Sequence, residues 1–436
     1  MNITRETFIS AFNPESDPAP HKPDANPPGQ AEQESRRATL DPGDSSATLP
    51  TPLPAPAGAV FDALYLHLPF CTHKCGYCDF YSVVIDKPGD HQARFTAALV
   101  DLIDACDRAY RVRPTTLFIG GGTPTHLEPN HWRTLLTALH DRGWLDALVE
   151  WTVEANPEST TPELIQTLAH AGLNRVSIGV QSFDPGGLAV LDRRHNPHHV
   201  RRAVDACRNA GIDNLSLDLI FAYPGQSVAR LQQDLDAALA LEPEHMSVYG
   251  LTFEPDTAIT RRLHAGQIQR APESLEKDLY QALLDRLAKE GFAQYEISNF
   301  ARTRPGLDRR CQHNLAYWTN QNWLGLGPAA GSHHRGVRWR IAPDFQAFIK
   351  NPAAPRLEDV EHLTAEQQIG DAFLLGLRLN QGLPVDRLPQ LAPSGSARDL
   401  EIKQLVDLGL LEAHQGALRM TPAGRFVGDS IVARLL

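Results

Sequence analysis

Cysteine is scarce in this chain, with 6 residues in 436. The first residues, MNITRETFISAF, carry an Arg and a Glu and have no apolar core. The two features argue against an exported, disulfide-stapled protein and predict a reducing cytoplasmic setting. No run of about 18 apolar residues occurs, so no membrane-spanning helix is expected. Positive charge is not in excess: 41 Lys and Arg face 52 Asp and Glu, for a net charge of −11. That balance argues against a nucleic-acid binder. Large apolar residues are nearly missing from positions 13–58, a stretch rich in Pro, Ala, Asp and Ser. Such a stretch cannot bury enough surface to offset its ordering entropy, and residues 1–57 read as a disordered tail. With 42% hydrophobic and 21% charged residues, the chain as a whole has a globular composition. Its length suits one large or two ordinary domains.

Order begins at VFDALYLHL, residues 60–68. Apolar, β-prone runs then recur at 63–68, 115–120, 150–155, 175–180, 214–221 and 245–252. Helical patterns lie between them. Phe95, Leu99, Ile103 and Cys106 share one helix face, as do Val200, Val204 and Cys207. Alternation of this kind predicts a parallel sheet covered by helices. Six repeats in one run favour a partial (β/α)6 barrel of the TIM type over residues 58–300. The alternation fades over 301–360, expected to be a connecting segment. Residues 361–436 hold two helical patterns, a hairpin and a last helix, which predicts a small winged-helix-like α+β domain.

Half of the cysteines stand in LHLPFCTHKCGYCDFYS, residues 66–82, as Cys71, Cys75 and Cys78 with the spacing C-x3-C-x2-C. Burial as small apolar residues suits Cys106 and Cys207 on their helix faces. It suits the other three poorly, because they share a loop with Thr72, His73, Lys74 and Gly76. CGYC could be a redox pair, which would leave Cys71 unexplained and normally opens a helix. Structural zinc wants a closed set of four ligands, and no second Cys pair follows. The fourth reading is a [4Fe–4S] cluster on three thiolates, with one iron left open. The spacing, with Tyr77 before the last cysteine, resembles the radical-SAM family, in which S-adenosylmethionine (SAM) chelates the open iron.

A SAM site needs room for the methionyl backbone, partners for its charges, acceptors for the ribose hydroxyls and a cover for adenine. In a barrel these belong at the C-terminal ends of the strands. The predicted strand ends carry GGGTPT (120–125), VEANPE with Glu154, SIGVQSF with Gln181, DLIFAYPGQ with Asp218, and Thr252; Arg193 follows in LDRRHNP. Each taken singly reads more readily as a cap or a solvated charge. A polar group at every strand end of one face is harder to ascribe to chance.

From residue 60 onward the series YLHLPFCTHKCGYCDF, GGGTPT, EANPE, SIGVQSF and DLIFAYPGQ resembles the oxygen-independent coproporphyrinogen III oxidase family of radical-SAM proteins. The resemblance implies that Cys71, Cys75 and Cys78 hold the cluster. It also implies SAM contacts from Tyr65, Tyr77, Gly121, Gly122, Thr123, Glu154, Gln181, Arg193, Asp218 and Thr252. Two departures set the chain apart from the oxidases. Phe80 stands where they carry a further cysteine, and a Pro-rich tail replaces their N-terminal segment. Both features resemble the heme chaperone branch, of the HemW type, whose signature H-N-x-x-Y-W appears here in CQHNLAYW, residues 311–318. On that resemblance His313 becomes a haem ligand, where a lone histidine would otherwise read as a satisfied polar group at a domain junction. Cys311 is the weaker alternative, and His333 and His334, displaced from the family's usual position, are assigned nothing. The branch implies haem or porphyrin as cargo and haem-accepting proteins as partners. An electron donor such as a flavodoxin or a ferredoxin follows as well, and a homodimer is left open. The oxidase alternative would use SAM to decarboxylate coproporphyrinogen III to protoporphyrinogen IX.

Overall fold

The structure, a computed structural model, describes residues 51–85, 89–302 and 306–436. Six parallel strands form its centre: β1 (Val60–Leu68), β2 (Arg111–Gly121), β3 (Glu150–Ala155), β4 (Arg175–Gln181), β5 (Leu215–Phe221) and β6 (His245–Gly250). They pair in sequence order, each with the next, as a partial (β/α)6 barrel requires. Their near-continuous apolar character follows from burial on both faces. Ala63, Leu64, Leu66, Leu117, Ile119, Val153, Val176, Ile178 and Leu217 are all buried. The first covering helix, α1 (Asp90–Ala109), buries Phe95, Leu99, Leu102, Ile103 and Cys106 against them. Each large apolar side chain so buried contributes roughly 1.5–3 kcal/mol. Cys207 is likewise buried on its own helix, Pro197–Asn209.

The β4–β5 register shifts between Gly179 and Gln181, and Gln181 takes a φ of 64°. A bulge at the end of a strand re-aims the side chain that follows it. Here that side chain is one of the residues expected at the SAM site.

Two expectations need correction. Residues 1–50 of the expected tail lie outside the described residues, but 51–57 do not behave as a tail. Leu53 and Ala55 are buried. The Leu53 N–H donates to the Tyr110 hydroxyl at 3.1 Å, and that hydroxyl donates to the Leu53 carbonyl at 2.7 Å. Two apolar side chains among prolines were enough to anchor the segment. Nor is 301–360 merely a connection. Strand Trp323–Leu326 pairs in parallel with the free edge of β1, and Gly331–His334, Val337–Ile341 and Leu357–His362 extend the sheet antiparallel beyond it. These strands cover an edge that would otherwise leave backbone groups unpaired. At the other edge, Asn299–Arg302 and Phe292–Gln294 add to β6.

The C-terminal domain has a core of its own, with Phe373, Leu405, Leu411, Ile431 and Leu435 buried. It combines helices Ala365–Gly376 and Ala397–Asp407 with a three-stranded sheet and a final helix, Gly428–Leu435, in the winged-helix-like arrangement expected.

Candidate functional site

The cysteine loop leaves β1 and is closed at its base by a short ladder. Phe70 pairs with Val83 and Cys71 with Val84. From the far side it is gripped by the turn Leu191–Arg193. The Gly76 N–H donates to the Leu191 carbonyl at 3.2 Å, and His73 Nε2 lies 3.0 Å from an Asp192 carboxylate oxygen. A side chain on Gly76 would press on Asp192 Cβ at 3.3 Å. No helix begins at Cys75, so the helix terminus that activates a redox pair is missing. Burial raises the Cys71 thiol and pushes Cys78 up to about 12, the latter with help from the nearby Cys75.

Thr123 and Arg193 meet two of the three sulfurs. Thr123 Oγ1 lies 3.6 Å from Cys71 Sγ, and Arg193 Nη1 donates to Cys75 Sγ at 3.3 Å. Asn156 joins these two donors: its Nδ2 donates to Thr123 Oγ1 at 3.0 Å, and its Oδ1 accepts from Arg193 Nη2 at 2.8 Å. Arg193 Nη2 also donates to the Gly179 carbonyl at 2.6 Å, while its Nε is buried with no partner. Among the described residues, no three His, Cys, Asp or Glu side chains converge on one metal ion. A four-iron cluster asks for a wider spacing, since each thiolate takes a different iron. Three sulfurs on a closed loop, two of them met by donors, fit that group.

Beside the loop, Gly121 and Gly122 let the chain pass where no side chain could. Gly121 has a φ of 106°, and a Cβ there would meet the His67 ring at 2.5 Å. At Gly122 a Cβ would meet Pro69 backbone at 2.6 Å. The Gly121 N–H donates to Glu154 Oε2 at 3.2 Å. Burial, with Asp218 adding to it, raises the Glu154 carboxyl to about 7. Tyr65 bonds His67 Nδ1 through its hydroxyl at 3.1 Å, and burial and then Glu154 raise its pKa well above the ordinary value. Asp218 lies between Ser177 and Ser216, which donate to it at 2.8–3.0 Å. Burial still raises its carboxyl. Tyr77 packs on Leu191, Ile220 and Tyr223. Thr252 is half-buried on the loop two residues past β6.

Cys71, Cys75, Thr123 and Arg193 thus come together, and Tyr65, Gly121 and Glu154 form an adjacent group. Asn156 was missed by the sequence reading. Its only signal was its place two residues after Glu154 in VEANPE.

His313, expected as a haem ligand, is placed inside the fold. The ring is fully buried and both nitrogens are engaged: Nδ1 with the Thr116 hydroxyl at 2.9 Å and Nε2 with the Tyr317 hydroxyl at 2.8 Å. It stacks on Phe118 at 5.3 Å between ring centroids. Burial lowers its pKa to about 3, so it stays a neutral imidazole. No nitrogen is free for a haem iron. The short helix Gln312–Trp318 closes the N-terminal end of the barrel strands. Glu150, at the start of β3, caps it by accepting from the Gln312 and His313 N–H groups at 2.8 and 3.0 Å. Cys311 is buried beside the same carboxylate, at 3.4 Å. Trp318 and Leu315, on another face of the helix, pack on Leu375 and Leu379 of the C-terminal domain.

Comparison with known proteins adds an independent line. A model of the Radical SAM superfamily matches residues 65–238, and a model of the HemN C-terminal domain matches residues 363–427. The chain is 36% identical over 377 residues to the Heme chaperone HemW of Mycobacterium tuberculosis, covering 86% of this chain and 94% of that protein. It is 36% identical over 384 residues to the Heme chaperone HemW of Escherichia coli, covering 86% and 98%. Among solved structures, it is similar in fold to coproporphyrinogen III oxidase (HemN) from Escherichia coli, with a TM-score of 0.74, 20% identity, and 88% and 92% of the two chains covered.

Proposed function

The chain belongs to the HemW family of the radical SAM superfamily, and from that membership we propose that it binds haem and delivers it to haem-requiring proteins. The observation that carries the reading is the closeness to the Heme chaperone HemW proteins over nearly their whole length. Phe80, more than 40% exposed where the oxidases carry a further cysteine, supports it.

In this reading Cys71, Cys75 and Cys78 hold a [4Fe–4S] cluster, and SAM lies against Gly121 and Gly122. A cluster held there would supply low-potential electron transfer to a bound SAM. The chain's own groups then have separable tasks. Gly121 and Gly122 bring backbone close to the methionyl group. Glu154 accepts from the ribose hydroxyls, and Tyr65 braces its side of the pocket. Arg193, always charged, carries the free Nε–H that a carboxylate would take. Gln181, on its bulge, and Asp218, Thr252 and Tyr77 line the remainder. His313 keeps the barrel closed. An outside electron donor such as a flavodoxin or a ferredoxin and a haem-accepting protein complete the partners. No helix among the described residues is long and apolar enough to cross a membrane. A cytoplasmic setting is supported by the six cysteines, all of them free.

The test is to reconstitute the full chain without oxygen and offer haem and coproporphyrinogen III in parallel. Haem should bind stoichiometrically and pass to an apo-haem protein. Formation of protoporphyrinogen IX with consumption of SAM would overturn the chaperone reading in favour of the oxidase.

A further inference from the structure

Two cluster sulfurs are met by hydrogen-bond donors that Asn156 bridges, with Arg193 held by the Gly179 carbonyl as well. Arg193 Nη1 points at Cys75 Sγ from 3.3 Å, and Thr123 Oγ1 stands 3.6 Å from Cys71 Sγ. Asn156 lies between these donors, and its orientation is fixed by them. Its amide nitrogen must face Thr123 and its oxygen must face Arg193, because a guanidinium has no acceptor. Thr123 Oγ1 accepts from Asn156, and once Cys71 is a cluster-bound thiolate with no hydrogen to give, the Thr123 hydroxyl is the donor in their contact. The chain of bonds therefore has a direction: Arg193 and Thr123 both donate to sulfur, and neither can rotate away without breaking its bond to Asn156. Asn156 is itself anchored, since its N–H donates to Thr125 Oγ1 at 3.4 Å and its carbonyl accepts from the Thr160 hydroxyl at 2.7 Å.

Hydrogen bonds to cluster sulfurs withdraw electron density and favour the reduced, more negative state, so the groups that hold such donors tune the potential. A guanidinium donor adds a full positive charge beside a half-buried thiolate, where screening by water is weak. We infer that Asn156 is a positioning residue that raises the reduction potential of the cluster by holding Thr123 and Arg193 as donors to Cys71 and Cys75. The inference rests on the cluster reading above.

The full chain should be reconstituted without oxygen and its iron and sulfide counted. The cluster midpoint potential is then measured by EPR-monitored titration with no SAM present, so that effects on SAM binding do not enter. Asn156→Ala should shift the potential to a more negative value. Thr123→Val and Arg193→Lys, each opening one of the two sulfur bonds, should shift it the same way by less. A wild-type potential in fully loaded Asn156→Ala protein overturns the inference. If Asn156→Ala does not load, the single-bond variants decide: negative shifts in both support it, and an unchanged potential in either one overturns it. Absence of iron and sulfide from the wild-type protein would instead remove the cluster reading, a separate failure.

Discussion

Glu150 and Glu154 sit four residues apart on one strand, at opposite ends of the barrel interior. Glu150 accepts two backbone N–H bonds at 2.8 and 3.0 Å and serves to cap a buried helix. Glu154 accepts one, at 3.2 Å, and burial holds its carboxyl near 7. The same division separates the two ends at large. At the closed end His313 has both nitrogens bonded and no exposed surface. At the open end Arg193 keeps a buried Nε without a partner, and the three loop cysteines remain partly exposed. Residue type does not separate structure from function here. Between Arg193 and His313 the difference is hydrogen-bonding capacity left over after folding, although Trp318 Nε1 and Arg175 Nε are also buried without a partner.

The strongest test of that contrast lies at the open end. Replacing Cys71, Cys75 and Cys78 together by Ala should abolish iron and sulfide incorporation while the fold survives. A full cluster in that variant would refute the ligand assignment. At the closed end, His313→Ala should act on stability. It leaves a cavity and two hydroxyls unpaired, a loss of about 2–4 kcal/mol visible in denaturant melts. The ligation spectrum of bound haem should not change. A stable variant with an altered Soret band would return His313 to the haem site.

Glu154→Ala should weaken SAM binding by roughly 1.5–3 kcal/mol, about 10- to 150-fold, with the cluster retained. Unchanged affinity in a titration would remove Glu154 from the pocket. Its raised pKa also has a sign. The folded chain keeps a proton that the unfolded chain loses near 4.5, so this contribution to stability is present below that pH and lost as pH rises through about 7. Glu154→Gln should flatten the pH dependence of unfolding over that window, and an unaltered slope would count against the shift.

The smallest effect concerns the N-terminal boundary. Removing residues 1–50 should leave the melting curve unchanged. Removing 1–57 also takes away Leu53, buried and bonded twice to Tyr110, and should cost about 1.5–3 kcal/mol. Equal melting temperatures for the two truncations would show that Leu53 contributes nothing.

What could be read from the chain alone was set by local rules. The six strands are continuous apolar runs, the helices between them carry one apolar face, and three cysteines stand within eight residues at a spacing that resembles the radical-SAM family. The C-terminal domain was legible for the same reason. Tertiary structure alone decided which polar residues are satisfied, since partners distant in sequence set that. His313 finds Thr116 from 197 residues away, and Arg193 finds Cys75 from 118. Asn156 gained its place between two sulfur donors only when β2, β3 and the turn after β4 were brought side by side. Leu53 and the strand Trp323–Leu326 were hidden likewise, because the surfaces they cover exist only once the sheet has formed.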